Sequence, residues 1–213
     1  LVLEQILHGI MLRLFGETLR ENIWLFAVYG GLAAGVFEET GRLVAMKFWM
    51  KKSLSKESSV MYGVGHGGIE AILIVGFTCI SNLIAALMIN SGQIESAFST
   101  IEDGVGRETA LQGLSVLWTT PGYQFFLAGV ERISAVTLHI CLSYLVYRAV
   151  KYGMKKYYFL AVGIHFLVDA LTVLLSNYTP LVILEAVLLI MIGVLAVIVR
   201  RMYMGEEGEE GIY

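Results

Sequence analysis

Residues 181–199 read LVILEAVLLIMIGVLAVIV and contain one charged side chain, Glu185. A run of about 20 predominantly apolar residues is long enough to cross the hydrocarbon core of a bilayer as a helix. Unpaired backbone groups are costly in hydrocarbon, and this run does not alternate polar and apolar residues as a barrel strand does. Four further stretches have a similar length and character, at residues 23–50, 62–89, 122–150 and 157–175. The sequence therefore predicts an all-α fold, a polytopic transmembrane helical bundle with at least five long membrane helices.

The composition excludes an ordinary soluble domain. Hydrophobic residues make up 57% of the 213 positions and charged residues 15%, whereas soluble domains are about 25% charged. Residues 1–14 predict a short N-terminal helix, and because the chain begins at Leu1 we expect a fragment whose number of spans is a lower bound. We expect one integral membrane domain over residues 1–204. Residues 205–213, rich in Gly and Glu, predict a disordered or cloning-derived acidic tail.

Basic residues follow three of the predicted spans, and this pattern predicts the orientation of the chain. The loop at residues 91–120 carries mainly acidic residues: Glu95, Glu102, Asp103 and Glu108, against Arg107. The positive-inside rule then places the loop outside and the carboxyl terminus in the cytoplasm, in a prokaryotic plasma membrane. The net charge of −3 and the short basic clusters exclude a nucleic-acid partner. The basic residues are Lys51, Lys52 and Lys56; Arg148, Lys151, Lys155 and Lys156; and Arg200 and Arg201.

Ionisable residues inside the predicted spans indicate a functional site. Such residues are costly in the bilayer unless they are paired or solvated. Three pairs are four residues apart, Glu38 with Arg42, His66 with Glu70, and His165 with Asp169, a spacing that places both side chains on one helical face. Counted from the basic ends, His66, His139 and His165 lie at a similar depth in three helices. The candidate site residues are Glu38, Glu39, Arg42, His66, Glu70, His139, His165 and Asp169.

Each of these residues also has a structural explanation. A glutamate and an arginine one turn apart can simply neutralise each other, and a lone histidine in an apolar helix is usually a polar contact between helices. Three histidines and several carboxylates at one depth fit a water-filled cavity better than separate packing contacts. Glu185 has no partner at helical spacing, so we expect it to be a structural polar contact. The glycines Gly63, Gly65 and Gly68 match a dinucleotide motif, but no strand precedes them, and close helix approach explains them better.

The ordered motifs resemble those of the YhfC group of intramembrane peptidases. They are EETGR at residues 38–42, HGGIE at 66–70, ERISAVTLH at 131–139 and HFLVD at 165–169. This group is similar to PrsW proteases and to CPBP-type CAAX proteases. The basic residue at Arg42 and the aspartate at Asp169 resemble the PrsW pattern more than the CPBP pattern. The resemblance implies hydrolysis of a peptide bond in or beside the membrane, with a membrane-anchored peptide or protein as substrate.

Two mechanisms fit these residues. In the first, Glu38 or Glu39 is the general base that activates water, while the other glutamate pairs with Arg42. His139 and His165 then donate to the oxyanion, with Asp169 fixing the tautomer of His165 and with His66 and Glu70 in the cavity wall. In the second, three imidazoles bind zinc and a glutamate is the fourth ligand or the base. The related glutamate-dependent enzymes favour a metal-free site, with zinc as the alternative; the ligands would be His66, His139 and His165.

Two other classes of function stay open from the sequence. The polar residues could form the packing network of a non-catalytic membrane scaffold or an immunity-type protein. They could also form the proton relay of a carrier, although the sequence has no inverted repeat and no helix visibly broken at midplane. The motif set favours an intramembrane endopeptidase that cuts its substrate near the cytoplasmic face.

Overall fold

The computed structural model describes residues 2–94, 96 and 104–210, and the regular elements within these ranges are helical. A π-helical segment, Ala45–Trp49, follows the second helix, and another, Ile72–Gly76, joins the third helix to the fourth. The all-α prediction is therefore confirmed. The α-helices with both ends described are α1 Val2–Glu21, α2 Ile23–Val44, α3 Lys56–Ala71, α4 Phe77–Asn90, α5 Val105–Thr119, α6 Gly122–Lys151, α7 Lys156–Tyr178 and α8 Leu181–Glu210.

Four helical stretches among the described residues are long and apolar enough to cross a membrane. They are Lys56–Asn90, Gly122–Lys151, Lys156–Tyr178 and Leu181–Glu206. The sequence predicted at least five, and the difference lies in α2. This helix has 22 residues, which is long enough, but its second half carries Glu38, Glu39 and Arg42, and these charges lower its apolar content. The predicted membrane bundle is confirmed with four spans that meet the criteria of length and composition.

The N-terminal helix is longer than the predicted residues 1–14. It continues to Glu21 and stops because Asn22 caps the next helix. The Asn22 side-chain oxygen accepts hydrogen bonds from the backbone N–H groups of Trp24 and Leu25, each at 3.1 Å. An asparagine at this position satisfies N–H groups that have no partner within the helix. Asn22 therefore defines the boundary between α1 and α2.

The chain forms two compact units. The first comprises residues 1–67 and 133–213, and the second comprises residues 68–132. The second unit contains α4 and α5, and in it Arg132 donates a hydrogen bond of 3.3 Å to Glu70 and also pairs with Glu131. The acidic loop residues Glu95, Glu102 and Asp103 lie outside the described residues. The single membrane domain over residues 1–204 and the cytoplasmic carboxyl terminus stay predictions.

The second half of α6 is the centre of the first unit. Its stretch CLSYLVY, residues 141–147, is buried on all sides, as expected for a helix that is surrounded by other helices. Ala161 and Val168 of α7 belong to the same apolar cluster, as do Leu184 and Leu188 of α8. α6 therefore provides the packing surface for the helices that carry the polar residues.

Glycines bring two pairs of helices into close contact. A Cβ atom at Gly63 would lie 2.5 Å from the Cα atom of Ile140, and one at Gly67 would lie 2.9 Å from the Cα atom of Val136. Spacing of four residues places Gly63 and Gly67 on one face of α3, against α6. The sequence predicted this role for Gly63, Gly65 and Gly68. It is confirmed for Gly63 but wrong for the other two, which have no described atom within 4 Å, because they face away from α6.

Two glycines likewise allow close contact between α2 and α7. A Cβ atom at Gly31 would lie 2.7 Å from the carbonyl oxygen of Phe166, and one at Gly35 would lie 2.9 Å from that of Val162. Small residues let two helix backbones approach closely where the surrounding lipid gives no hydrophobic driving force. This contact fixes the rotation of α2 relative to α7, and both helices carry candidate site residues.

The C-terminal helix α8 continues through Gly205 to Glu210, within the segment where the sequence predicted a disordered tail. Glu206 is buried there and accepts hydrogen bonds from three tyrosine hydroxyl groups. The donors are Tyr144 at 2.6 Å, Tyr147 at 2.8 Å and Tyr152 at 2.5 Å. The Gly and Glu composition predicts disorder when the segment is considered alone, but here α6 and Tyr152, which follows it, supply hydrogen-bonding partners. Residues 211–213 lie outside the described residues.

Replacement of Gly63 by Ala is predicted to destabilise the protein, whereas the same replacement at Gly65 is not. The new methyl group at Gly63 would clash with the backbone of α6, and overpacking of this kind costs about 1–3 kcal/mol. Gly65 has open space around it, and alanine there gains helix propensity worth up to about 1 kcal/mol. The measurement is the thermal unfolding midpoint of the purified variants in detergent. Equal midpoints for the two variants would contradict the described contact between α3 and α6.

Candidate active site

The structure brings together seven of the eight predicted site residues within the first unit. α2 contributes Glu38, Glu39 and Arg42, and the other residues come from α3, α6 and α7. The eighth, Glu70, belongs to the second unit and bonds to Arg132. The residues from the other three helices are His66, His139, and the pair His165 and Asp169.

Glu38 lies among the histidines. Its Oε2 atom accepts a hydrogen bond of 2.9 Å from Nε2 of His66. The same oxygen lies 3.9 Å from Nδ1 of His139 and 4.0 Å from Nε2 of His165. The side chain of Glu38 is 12% exposed, so it is not completely buried. One carboxylate oxygen is thus surrounded by nitrogen atoms from three different helices.

Glu39 has a different environment, because it is fully buried in an ion pair with Arg42. Nη1 of Arg42 donates to both carboxylate oxygens, at 2.7 and 2.8 Å, and both side chains are 0% exposed. Nδ1 of His165 donates a further hydrogen bond of 2.8 Å to Glu39. Because a buried charge without a partner is strongly destabilising, Glu39 and Arg42 require each other. Neighbouring residues on a helix point about 100° apart, which explains how Glu38 and Glu39 reach different partners.

The hydrogen bonds of the ion pair define the tautomers of two histidines. His165 donates from Nδ1, so in the neutral ring its Nε2 atom is unprotonated. Arg42 donates from Nη2 to Nδ1 of His139 at 3.0 Å, and a guanidinium group can only donate, so Nδ1 of His139 is the acceptor. Glu39 and Arg42 therefore hold the rings of His165 and His139 in fixed orientations.

Asp169 is farther from His165 than Glu39 is. Its Oδ2 atom lies 3.6 Å from Nε2 of His165, and the aspartate side chain is 35% exposed. The sequence assigned the tautomer of His165 to Asp169, one helical turn away. In the structure the shorter contact to that ring comes from Glu39, on α2, because close packing at Gly31 and Gly35 brings α2 against α7.

Tyr62 is a site neighbour that the sequence interpretation missed. Its ring stacks on that of His66, with centroids 6.1 Å apart and an angle of 22° between the planes. The signal was present in the sequence, since residues 62 and 66 are one helical turn apart and share a face. Tyr62 therefore packs against the His66 ring and limits its movement.

Part of this cluster fits a metal ion. Glu38, His66 and His139 each offer a ligand atom, and these atoms lie within 4.8 Å of one another. Two imidazoles and one carboxylate are a known ligand set of catalytic zinc. The ring of His66 now shares a proton with Glu38, and metal binding to such a pair releases that proton. The donor set therefore suits zinc.

The fold and the site define a polytopic helical membrane protein with a buried centre of glutamates and histidines. The chain belongs to the YhfC intramembrane metalloprotease family, which it matches over residues 1–198. The expected resemblance to YhfC proteins is thus confirmed, whereas the wider similarity to PrsW and CPBP proteases stays a prediction. The description of the family as a metalloprotease supports the zinc alternative.

One curated relative is the uncharacterized membrane protein YhfC of Bacillus subtilis (strain 168), which is 38% identical over 158 residues. The alignment covers 74% of this chain and 60% of that protein. The chain thus spans about 60% of the length of the curated relative. No solved structure matches the chain.

Loss of Glu39 is predicted to destabilise the fold more than loss of Glu38. Glu39→Ala leaves the buried Arg42 without its carboxylate, and breaking a buried ion pair on one side costs about 3–5 kcal/mol. Glu38→Ala removes a partly exposed carboxylate and should cost less. The measurement is the unfolding midpoint in mild detergent, and the control is the double variant Glu39→Ala/Arg42→Ala, which should be more stable than the sum of the single effects predicts. Additive effects, or equal loss at Glu38 and Glu39, would contradict the assignment.

Proposed function

We propose that this chain contains the catalytic centre of an intramembrane zinc protease that hydrolyses a peptide bond of a membrane-associated protein. The observation that carries the proposal is the position of Glu38, whose Oε2 atom lies within 4.0 Å of nitrogen atoms from three histidines. Membership in the YhfC intramembrane metalloprotease family supports the same reaction class.

Glu38, His66 and His139 are proposed to hold the zinc ion, since their ligand atoms lie within 4.8 Å of one another. Zinc at this position supplies Lewis-acid polarisation of a peptide carbonyl group. Arg42 donates to Nδ1 of His139 at 3.0 Å. Because a neutral imidazole has only one unprotonated nitrogen, zinc binding by His139 would replace this hydrogen bond.

His165 is proposed to be the general base. Its Nδ1 proton is donated to Glu39, which leaves Nε2 free to take a proton from the attacking water. Glu39, which is paired with Arg42, then stabilises the imidazolium that forms. The proton on Nε2 is afterwards delivered to the leaving nitrogen, so the same ring acts first as base and then as acid. This assignment differs from the sequence expectation, in which a glutamate was the base and His165 a donor to the oxyanion.

The site is proposed to lie between the middle of the bilayer and its cytoplasmic face. His66 follows Lys56 by ten residues, His139 precedes Arg148 by nine, and His165 follows Lys156 by nine. At 1.5 Å per residue these separations correspond to about 15 Å, roughly half the thickness of the hydrocarbon core. The basic ends of the helices mark the cytoplasmic side. The proposed substrate is therefore a membrane-anchored peptide or protein cut between mid-depth and the cytoplasmic surface.

The metal content of variants tests the ligand assignment. The purified chain should contain about one zinc ion, and His66→Ala and His139→Ala should weaken zinc binding by more than the roughly 10–100-fold that loss of an orienting residue costs. His165→Ala should keep the metal. The control is His8→Ala, because His8 is bonded to Tyr29 at 2.8 Å and is no part of the site. Metal content is measured by mass spectrometry on the folded detergent complexes.

Cleavage in proteoliposomes tests the role of His165. Single-span peptides labelled at both ends are the probe, and new termini are identified by mass spectrometry. Loss of a general base lowers a rate by about 10²–10⁴-fold, so His165→Ala should contain zinc and yet be nearly inactive, while His8→Ala stays active. Full activity of a His165→Ala variant would overturn the base assignment. A folded protein without bound metal that still cleaves would favour Glu38 as the base of a metal-free mechanism.

A further inference from the structure

A cavity of about 330 Å³ lies in the first unit where α6 ends and α7 begins. Leu43 and Lys47 line it from the end of α2 and the π-helical segment that follows. Val150 of α6 contributes a second wall. Lys155 and Phe159, at the start of α7, also line the cavity. No candidate site residue contributes to the lining, so the cavity is separate from the proposed catalytic centre.

The charge around the cavity is positive. Its two lysines, Lys47 and Lys155, are both exposed. They belong to residues 43–56 and 140–168, which hold no aspartate or glutamate. Eight basic residues occur in these two segments: Lys47, Lys51, Lys52, Lys56, Arg148, Lys151, Lys155 and Lys156. The carboxylate of Glu206 contacts Tyr152 beside this region but is bound by three tyrosine hydroxyl groups. The basic side chains of these two segments would therefore attract a phosphate group, and the segments contain no carboxylate that would repel it.

The remaining lining is largely apolar, and its position matches the boundary of the membrane. Leu43, Val150 and Phe159 face the cavity, and Phe159 is 67% exposed. The candidate spans end at Lys151 and begin again at Lys156, so the cavity lies at the level where lipid headgroups meet hydrocarbon. A ligand with a phosphate group next to an acyl chain would contact both kinds of surface.

We propose that this cavity binds an anionic phospholipid, with its phosphate group between Lys47 and Lys155 and the start of an acyl chain against Val150 and Phe159. Basic pockets between membrane helices on the cytoplasmic side are known to hold anionic headgroups. Inorganic phosphate would leave the apolar wall uncovered. The proposal goes beyond the proposed protease function and does not depend on it.

The bound lipid would contact a residue that is connected to the candidate site. Tyr158 lines the cavity, and its hydroxyl group shares a hydrogen bond of 2.8 Å with the hydroxyl group of Thr40. Thr40 directly follows Glu39 on α2. The lipid is therefore placed beside the helix that carries both site glutamates, where it would support the position of α2 against α7.

The test is native mass spectrometry of the full chain, delipidated in detergent and titrated with phosphatidylglycerol or phosphatidylcholine. The wild-type chain should retain one phosphatidylglycerol in preference to phosphatidylcholine. Lys47→Ala/Lys155→Ala should bind it about 30-fold more weakly, given the usual contribution of a lysine to anionic lipid binding. The matched control is Lys51→Ala/Lys156→Ala, which removes two charges from the same segments without touching the cavity, and it should bind as the wild type does.

Four results would overturn the proposal. Equal weakening in both double variants would assign the effect to general surface charge, and equal retention of the two lipids would exclude recognition of an anionic headgroup. Displacement by millimolar inorganic phosphate would make the cavity a free-phosphate site. Displacement of the lipid by an acidic peptide would make the cavity a peptide subsite. Thermal unfolding of each variant checks that the exposed lysines were removed without loss of the fold.

Discussion

The buried ion pair between Glu39 and Arg42 fixes the geometry of the site. Both side chains are completely buried, and a charge in that position must be paired or the helix that carries it is destabilised. The remaining hydrogen-bonding capacity of the pair is directed at two rings, because Glu39 accepts from His165 and Arg42 donates to His139. One ion pair on α2 thus orients residues of α6 and α7 and removes their freedom to rotate.

This constraint separates the two neighbouring glutamates into different roles. Both carboxylate oxygens of Glu39 are engaged in the buried ion pair with Arg42. Glu38, in contrast, is partly exposed and faces the histidine nitrogens. A metal-binding carboxylate must be able to change its bonding partner. Glu38 can do so, because a metal ion can replace the proton that it shares with His66. The rigid Glu39–Arg42 pair and the more accessible carboxylate of Glu38 are the combination expected of a metal site whose residues are oriented before the metal binds. The proposed zinc site uses this combination.

Much of the fold and of the site was predictable because charges are costly in a membrane. The helices and the seven site residues of the first unit follow from apolar runs and from the ionisable residues within them. The sequence left open whether Glu38 or Glu39 faces the cavity, since that depends on the rotation of α2, which is set by contacts of Gly31 and Gly35 with α7. Pairing between distant segments, such as Glu39 with His165, is a property of the packing and leaves no spacing signal in the sequence.

The central claim is that Glu38, His66 and His139 hold zinc while His165 stays outside the coordination sphere. X-ray absorption spectroscopy at the zinc edge of the purified chain tests it directly, because scattering from imidazole rings can be counted. The account predicts nitrogen and oxygen ligands with two imidazoles, a pattern unchanged in His165→Ala and reduced to one imidazole in His139→Ala. Three imidazoles in the wild-type chain, with one lost in His165→Ala, would contradict the assignment of His165 as the general base. Sulfur scattering, or a folded chain that binds no zinc, would contradict the proposed metal site.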